Sequence, residues 1–84
     1  MSKPRPSRRE SSELSQRFGE RVRLLRKEKG WSLEELAERA GMHVTYLSSV
    51  ERGHRNPTLN VVATISSALG VSLSTLLKGL QENK

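Results

Sequence analysis

The sequence predicts an all-α domain made of five short helices packed into a compact unit. Apolar residues recur every three or four positions along most of the chain, which is the period of helices that bury one face. No segment alternates apolar and polar residues between hairpin turns, as a strand would. Because the 84 residues include no cysteine, helix packing rather than disulfide bonds must stabilise the fold.

Residues 1–11 are predicted to form a basic, disordered tail that precedes the helical domain of residues 12–84. Two prolines and a single apolar side chain among the first ten residues leave this segment unable to bury surface. Such a tail suits a polyanion such as DNA, but an ordinary solubilising terminus is equally consistent with it. It carries +4 of the net charge of +6, from Lys3, Arg5, Arg8 and Arg9.

The first two helices are predicted from apolar stripes and from the residues at their ends. Gly30 is a candidate C-cap for the first helix. Ser32 is predicted to cap the second helix, because Glu35 three residues later completes a capping box. Gly41 would stop the second helix. The two apolar stripes comprise Leu14, Phe18, Val22 and Leu25 in the first helix, and Leu36, Ala37 and Ala40 in the second.

Three further helices are predicted in the second half of the chain. The third covers about residues 44–52 and is followed by a loop that contains Pro57. Thr58 would cap the fourth helix, which would end at Gly70, and Ser72 would cap the fifth. The apolar stripes of the last two helices comprise Leu59, Val62, Ile65 and Leu69, and then Leu73, Leu76, Leu77 and Leu80.

Residues 33–52 have the pattern of a helix-turn-helix motif. Gly41 stands at the turn, where a positive φ is needed and glycine adopts it at low cost. Ala37 and Ala40 are small where the second helix must approach the third closely. Apolar residues stand where the two helices would share a core, at Leu36, Met42, Leu47 and Val50.

From about Phe18 to Leu80 the chain resembles the Cro/C1-type (Xre-type) helix-turn-helix regulators, which include the phage lambda repressors. The matching segments are FGERVRLLRKEKGWSLEELAERAG, YLSSVERGHRNPTL and ALGVSLSTLLKG. The resemblance implies a lambda repressor-like fold and sequence-specific binding of double-stranded DNA, usually as a homodimer on a palindromic operator. The controller proteins of restriction–modification systems are a subgroup with a region similar to TYLSSVERGHRN.

The third helix is the predicted recognition helix. At about 100° per residue, its core side comprises Tyr46, Leu47 and Val50, with Glu51 at the edge. The outward side comprises Val44, Thr45, Ser48, Ser49 and Arg52. Thr45 can hydrogen-bond to bases, whereas Val44 can only contact a thymine methyl group. The predicted base contacts are Val44, Thr45, Ser48 and Ser49. The predicted contacts to the DNA backbone are His43, Tyr46, Arg52, His54, Arg55 and Asn56; Arg55 could instead enter a narrow minor groove.

Three further expectations concern how this helix is held and how the chain assembles. The resemblance implies a salt bridge between Arg26 and Glu51 that sets the pose of the recognition helix. Family members often begin the second helix with a glutamine that reaches the DNA, and Leu33 at this position puts base contacts from that helix in doubt. The fifth helix is predicted to form a twofold dimer contact through Leu73, Leu76, Leu77 and Leu80, chiefly through Leu76 and Leu80.

The sequence favours a binding protein over an enzyme. It contains no nucleophile–base pair and no glycine-rich phosphate loop, and its two histidines, His43 and His54, do not make a metal cluster. We therefore expect no cofactor, no metal and no small-molecule ligand. No apolar run reaches the roughly 18 residues of a membrane span, and the start lacks the apolar stretch of a signal peptide. We expect a cytoplasmic protein without membrane association.

Two alternatives remain open beside a transcriptional regulator. An antitoxin-like protein-interaction module would have the same fold, although only about four residues follow Leu80 to bind a partner. A low-specificity DNA binder would show a steep salt dependence and little sequence preference. For a regulator, repression would follow from blocking RNA polymerase, whereas activation would require a contact with it. An acidic patch on the second helix could provide that contact, through Glu34, Glu35 and Glu38.

Overall fold

The computed structural model describes residues 8–80, with side chains from residue 13 onward. Helix α1 runs over Arg8–Glu28, α2 over Leu33–Ala40, α3 over Val44–Glu51, α4 over Leu59–Leu69 and α5 over Leu73–Leu76. The predicted all-α class and the order of the five helices are confirmed, and the described residues contain no strand. None of the helices within residues 8–80 is both long enough and apolar enough to cross a lipid bilayer.

Two predicted boundaries differ from the structure. Helix α1 already begins at Arg8, whereas the helical domain was predicted to begin at residue 12. Helix α5 is a single turn that ends at Leu76, and residues 77–80 continue as turns, so the predicted longer fifth helix is wrong. The basic residues Lys3 and Arg5 lie outside the described residues.

The predicted caps are present. Ser32 accepts a hydrogen bond from the Glu35 amide at 3.1 Å, and the Glu35 carboxylate accepts one from the Ser32 amide at 2.7 Å. This reciprocal pair satisfies backbone donors that the first turn of a helix leaves unpaired. Thr58 accepts from the Val61 amide at 3.2 Å and Ser72 accepts from the Thr75 amide at 3.1 Å. The breaks between the helices are therefore encoded locally.

One core joins all the helices, and most of the predicted apolar stripes contribute to it. Each fully buried leucine stabilises the fold by about 1.5–3 kcal/mol relative to an exposed one. Leu14 and Leu59 belong to predicted stripes but remain 52% and 85% exposed. The buried apolar residues are Phe18, Val22, Leu25, Leu36, Ala37, Leu47, Val50, Val62, Ile65, Leu69 and Leu76.

At Gly19, α1 packs directly against the backbone at the end of α3. A Cβ atom built at this glycine would lie 2.7 Å from the carbonyl carbon of Glu51 and would also overlap the carbonyl oxygen of Val50. These are backbone atoms at the end of α3, so they cannot move aside as the tip of a side chain can. The absence of a side chain at Gly19 therefore sets how deeply the end of α3 sits on α1.

Candidate nucleic-acid interface

Helices α2 and α3 meet through a tight turn at Gly41. Gly41 has φ 66° and ψ 34°, the left-handed conformation that glycine adopts without steric cost. Its amide donates to the Glu38 carbonyl at 3.1 Å, and the Met42 amide donates to the Ala37 carbonyl at 3.0 Å. These bonds satisfy the last carbonyl groups of α2 and direct the chain into α3 after His43. The predicted helix-turn-helix geometry is present.

The outer side of α3 and the loop that follows it form one polar surface, which we call the α3 face. Leu47 and Val50 are fully buried beneath it. Thr45 is exposed, and Val44 and Ser48 are partly exposed. The α3 face consists of His43, Val44, Thr45, Ser48, Arg52, His54, Arg55 and Asn56. Eight of the ten residues predicted to contact DNA therefore lie together on one accessible surface.

Ser49 does not belong to the α3 face, and the prediction that its side chain points outward is wrong. Only 9% of Ser49 is exposed. Its hydroxyl donates to the Tyr46 carbonyl at 2.7 Å and accepts from Nε of Arg55 at 3.2 Å. The loop after α3 folds back over this flank of the helix, and the His54 amide bonds to the Ser49 carbonyl at 2.9 Å. Helical periodicity alone could not reveal this cover.

Tyr46 is half-buried and packs against the core, as its position on the inner side of α3 predicted. The guanidinium carbon of Arg55 lies 5.6 Å from the centre of its ring, within the range of a cation–π contact. Tyr46 therefore supports a residue of the α3 face, while its proposed contact with a DNA backbone stays a prediction.

Two arginines give the α3 face its positive charge. Arg52 and Arg55 are both exposed, and neither forms an ion pair with any carboxylate of the described residues. Nε of Arg52 reaches only the Ser48 carbonyl of its own helix, at 3.5 Å. A surface with two unneutralised guanidinium groups beside a helix is suited to bind an anion such as a phosphate group.

Arg26 and Glu51 form the buried ion pair that the resemblance implied. Nε of Arg26 donates to Oε2 of Glu51 at 2.7 Å and Nη2 donates to Oε1 at 2.9 Å. The two side chains are only 10% and 7% exposed. The hydrogen bonds to Glu51 raise the pKa of Arg26 above its usual value, although burial acts in the opposite direction. The bidentate geometry ties α1 to the last residue of α3.

The same guanidinium also fixes the turn between α1 and α2. Nη1 of Arg26 donates to the Trp31 carbonyl at 2.9 Å, and the Trp31 amide donates back to the Arg26 carbonyl at 3.2 Å. Arg26 thus connects three parts of the chain, which its sequence position did not reveal. Trp31 is half-buried, with the Arg39 guanidinium carbon 4.1 Å from its ring centre, and Leu33 packs partly buried against the same core.

The leucines predicted to form a dimer contact fall into two groups. Leu76 is fully buried in the core of its own chain, so the prediction that it is a chief contact is wrong. Leu80, the other predicted chief contact, is half-buried against that core. Leu73 and Leu77 remain 46% and 38% exposed, and they are available to a partner.

An open apolar groove of about 520 Å³ lies beside Leu77. Leu14 and Leu59 line it as well, together with the half-buried Pro57 and Leu80. The apolar surface near α5 is thus wider than the four leucines predicted from the sequence, because it extends to the start of α4 and to α1. Sequence periodicity assigned Leu14 and Leu59 to stripes facing the core, and it therefore missed their place in this groove.

Within the part of the chain that the structure describes, no three His, Cys, Asp or Glu side chains stand close enough to hold a metal ion. His43 and His54 are both exposed members of the α3 face. The chemistry available at this face is therefore hydrogen bonding, apolar contact and attraction of negative charge.

Known proteins are similar to this chain over a segment that includes the helix-turn-helix motif. A family model described as helix-turn-helix matches residues 22–76. The transcriptional regulator SinR of Bacillus subtilis is 46% identical over 68 residues, which cover 80% of this chain and 61% of SinR. The chain thus spans less than two thirds of the length of that relative.

Two crystal structures are similar in sequence and in fold. SinR, described as the master regulator for biofilm formation and solved in complex with DNA, has a TM-score of 0.68 and 48% identity, with 73% of this chain and 98% of that one covered. The restriction–modification controller protein C.AhdI from Aeromonas hydrophila has a TM-score of 0.72 and 39% identity, with 74% and 94% covered. The matched segment includes α2 to α5 and the last turns of α1. The chain therefore belongs to the Cro/C1-type helix-turn-helix family.

Proposed function

We propose that this chain is a sequence-specific DNA-binding transcriptional regulator that acts as a homodimer on a palindromic operator. The observation that carries the proposal is the α3 face, an accessible polar surface with two unneutralised arginines, held in place by the buried pair of Arg26 and Glu51. The complex of the similar SinR with DNA supports it. In this proposal α3 enters the major groove and the loop after α3 contacts phosphates.

The division of labour within the α3 face follows from chemistry and position. The proposed base contacts are the exposed Thr45 and the partly exposed Val44 and Ser48, of which Val44 also packs partly against the core. His43, Arg52, His54, Arg55 and Asn56 lie at its ends and in the loop, where we propose contacts to the DNA backbone. With a valine at the helix start, we expect few direct hydrogen bonds to bases, and thymine methyl groups and DNA shape should carry more of the specificity.

A second copy of the chain is the proposed partner of the apolar surface near α5. Leu14, Leu59 and Leu77 are exposed along the groove, where together they form a larger apolar surface than scattered single residues would, and Leu73 is exposed in α5. A twofold dimer would present two α3 helices to successive major grooves about 34 Å apart. A palindromic operator would then mirror the symmetry of the protein.

RNA polymerase remains a proposed partner only for activation. Glu34, Glu35 and Glu38 are exposed on α2, so an acidic patch is available there. Repression needs no such contact, because a bound dimer can block the polymerase. Glu35 also completes the capping box of α2. Glu34 acts electrostatically on Arg26 of the buried pair. Substitution of Glu38 is therefore the one that tests a polymerase contact apart from these structural roles.

Selection of binding sites from random DNA duplexes at fixed salt tests the proposal. We expect a palindromic consensus whose half-sites are separated by one helical turn, about 10 base pairs. Sedimentation on the selected duplex should find two chains bound. A protein that enriches no consensus would instead be the low-specificity binder or the protein-interaction module, and the proposed function would be wrong.

A further inference from the structure

Arg55 is held by a chain of contacts that starts in α3. Its Nε donates to the Ser49 hydroxyl at 3.2 Å, and its guanidinium carbon lies 5.6 Å from the Tyr46 ring centre. The Ser49 hydroxyl donates in turn to the Tyr46 carbonyl at 2.7 Å. Arg55 lies in the loop, six positions along the chain from Ser49. Two residues of α3 thus hold a loop side chain from two directions.

The direction of these hydrogen bonds leaves the outer end of Arg55 unoccupied. A serine hydroxyl has one proton, and Ser49 gives it to the Tyr46 carbonyl, so its remaining lone pairs can only accept. The guanidinium has five N–H donors, and the bond to Ser49 uses only the one on Nε. No other hydrogen bond or ion pair engages the Nη groups within residues 8–80. These groups form a planar fork suited to two oxygens of one phosphate group.

We propose that Ser49 is a positioning residue for Arg55. Ser49 holds the guanidinium of Arg55 in place before DNA binds, so that the two Nη groups of Arg55 meet a backbone phosphate. This inference rests on the proposed DNA-binding function and assigns a specific role to a residue that the α3 face does not include. Because Ser49 belongs to α3, it would hold the phosphate contact of Arg55 at a fixed distance from the proposed base contacts Thr45 and Ser48 of the same helix.

Preorganisation is the source of the expected effect. A free arginine side chain loses rotamer freedom when it binds, whereas one already held by Ser49 and Tyr46 has lost part of it on folding. Immobilising one long side chain on binding corresponds to a difference of about two- to tenfold in affinity. Loss of the Ser49 hydroxyl should therefore weaken operator binding by about that factor, through the dissociation rate more than the association rate.

A double-mutant cycle on the selected operator duplex tests the inference. Wild type, Ser49→Ala, Arg55→Ala and the double variant are compared at one salt concentration. The expected result is that Ser49→Ala weakens binding in the wild-type background and has no further effect once Arg55 is gone. Equal loss in both backgrounds would mean that Ser49 acts on α3 and not on Arg55, and it would overturn the inference.

Ser66 provides a matched control. It is buried like Ser49, with 6% exposed, and its hydroxyl also donates to a backbone carbonyl, that of Val71 at 2.8 Å. It forms no hydrogen bond with an arginine among the described residues. Ser66→Ala should lower stability to a similar degree and should leave operator affinity unchanged. If Ser66→Ala weakens binding as much as Ser49→Ala, general destabilisation explains both and the inference is wrong.

Two further measurements do not depend on the Ser49→Ala protein, and the first of them does not depend on DNA binding either. In the free protein, the Nε proton of Arg55 should give an NMR signal protected from exchange with water, and its absence in the wild type would refute the restraint without any DNA. The Arg55→Lys variant keeps the positive charge but has no N–H group at the position of the arginine Nε to donate to Ser49. Arg55→Lys should therefore bind the operator almost as weakly as Arg55→Ala does. Wild-type affinity in Arg55→Lys would contradict the inference.

Discussion

The guanidinium of Arg26 holds the carboxylate of Glu51 through two hydrogen bonds of 2.7 and 2.9 Å. This pair joins the last turn of α1 to the last residue of α3. Arg52 and the loop residues of the α3 face follow directly after Glu51, so the pair fixes the end of α3 from which these proposed backbone contacts extend. Stability and the proposed DNA binding should thus be linked through one buried contact.

Replacing Glu51 should destabilise the domain and weaken DNA binding together. Glu51→Ala leaves the Arg26 guanidinium buried without its counter-charge, which costs about 3–5 kcal/mol. In a domain of this size each kcal/mol lowers Tm by roughly 4–8 °C. Thermal unfolding followed by circular dichroism measures the change. Glu38→Ala, which removes an exposed acid from α2, is the control, and an unchanged Tm in Glu51→Ala would contradict the account.

Gly19→Ala should be destabilising although alanine favours helices. The gain in helix propensity is about 1 kcal/mol. The added methyl group, however, would overlap the carbonyl groups of Val50 and Glu51, and overpacking of this kind costs about 1–3 kcal/mol. Because α3 must shift away from α1, operator affinity should fall more than stability alone explains. Urea unfolding and DNA titration measure the two effects.

The neighbouring exposed position on α1 is the control for Gly19→Ala. Glu20→Ala should change stability by no more than about 0.5 kcal/mol and should leave DNA binding intact, since Glu20 faces solvent. A Gly19→Ala protein that is more stable than the wild type and binds DNA equally well would show that α3 does not depend on this close approach.

Leu76 and Leu59 should behave in opposite ways. Leu76 is fully buried, so Leu76→Ala should lower the free energy of unfolding by about 2–5 kcal/mol. Leu59 is 85% exposed, so Leu59→Ser should leave the monomer as stable as the wild type and should weaken self-association. Sedimentation equilibrium at tens of micromolar measures association. A wild-type protein that is monomeric both alone and on its operator would rule out the proposed dimer.

Arg52→Ala should reduce the salt dependence of DNA binding. Each phosphate contact contributes about 0.9 to the slope of log K against log salt concentration. Loss of the Arg52 guanidinium should make the negative slope shallower by about this amount. The consensus sequence should be unchanged. Arg23→Ala removes the same charge from an exposed position on α1 and should alter the slope less. Equal slopes for the two variants would mean that Arg52 acts only through net charge.

The elements that the sequence predicted correctly depend on local chemistry. The capping box of Ser32 and Glu35 and the left-handed turn at Gly41 each involve residues within a few positions of one another. Such features leave a signature that does not depend on the rest of the fold. Most of the α3 face followed from the same logic, because offsets of two and five positions place Leu47 and Val50 on the side of α3 away from Thr45.

What the sequence could not predict depends on which segments meet in space. Ser49 lies on the flank of α3, and it is buried because the loop after α3 folds back over it. Leu76 and Leu77 are adjacent in sequence, but only Leu76 enters the core. The sequence did not indicate why residue 19 is a glycine, because the reason lies in the backbone at the end of α3 that packs against it in the fold.

The central claim is that α3 reads the operator, and binding-site selection with a Val44→Gln variant tests it most directly. Val44 is the first residue of α3, and its own side chain offers only apolar contact. A glutamine there can form two hydrogen bonds to adenine in the major groove. We expect the consensus to change at one base pair in each half-site, placed symmetrically about the centre. An unchanged consensus in a folded Val44→Gln protein would contradict it.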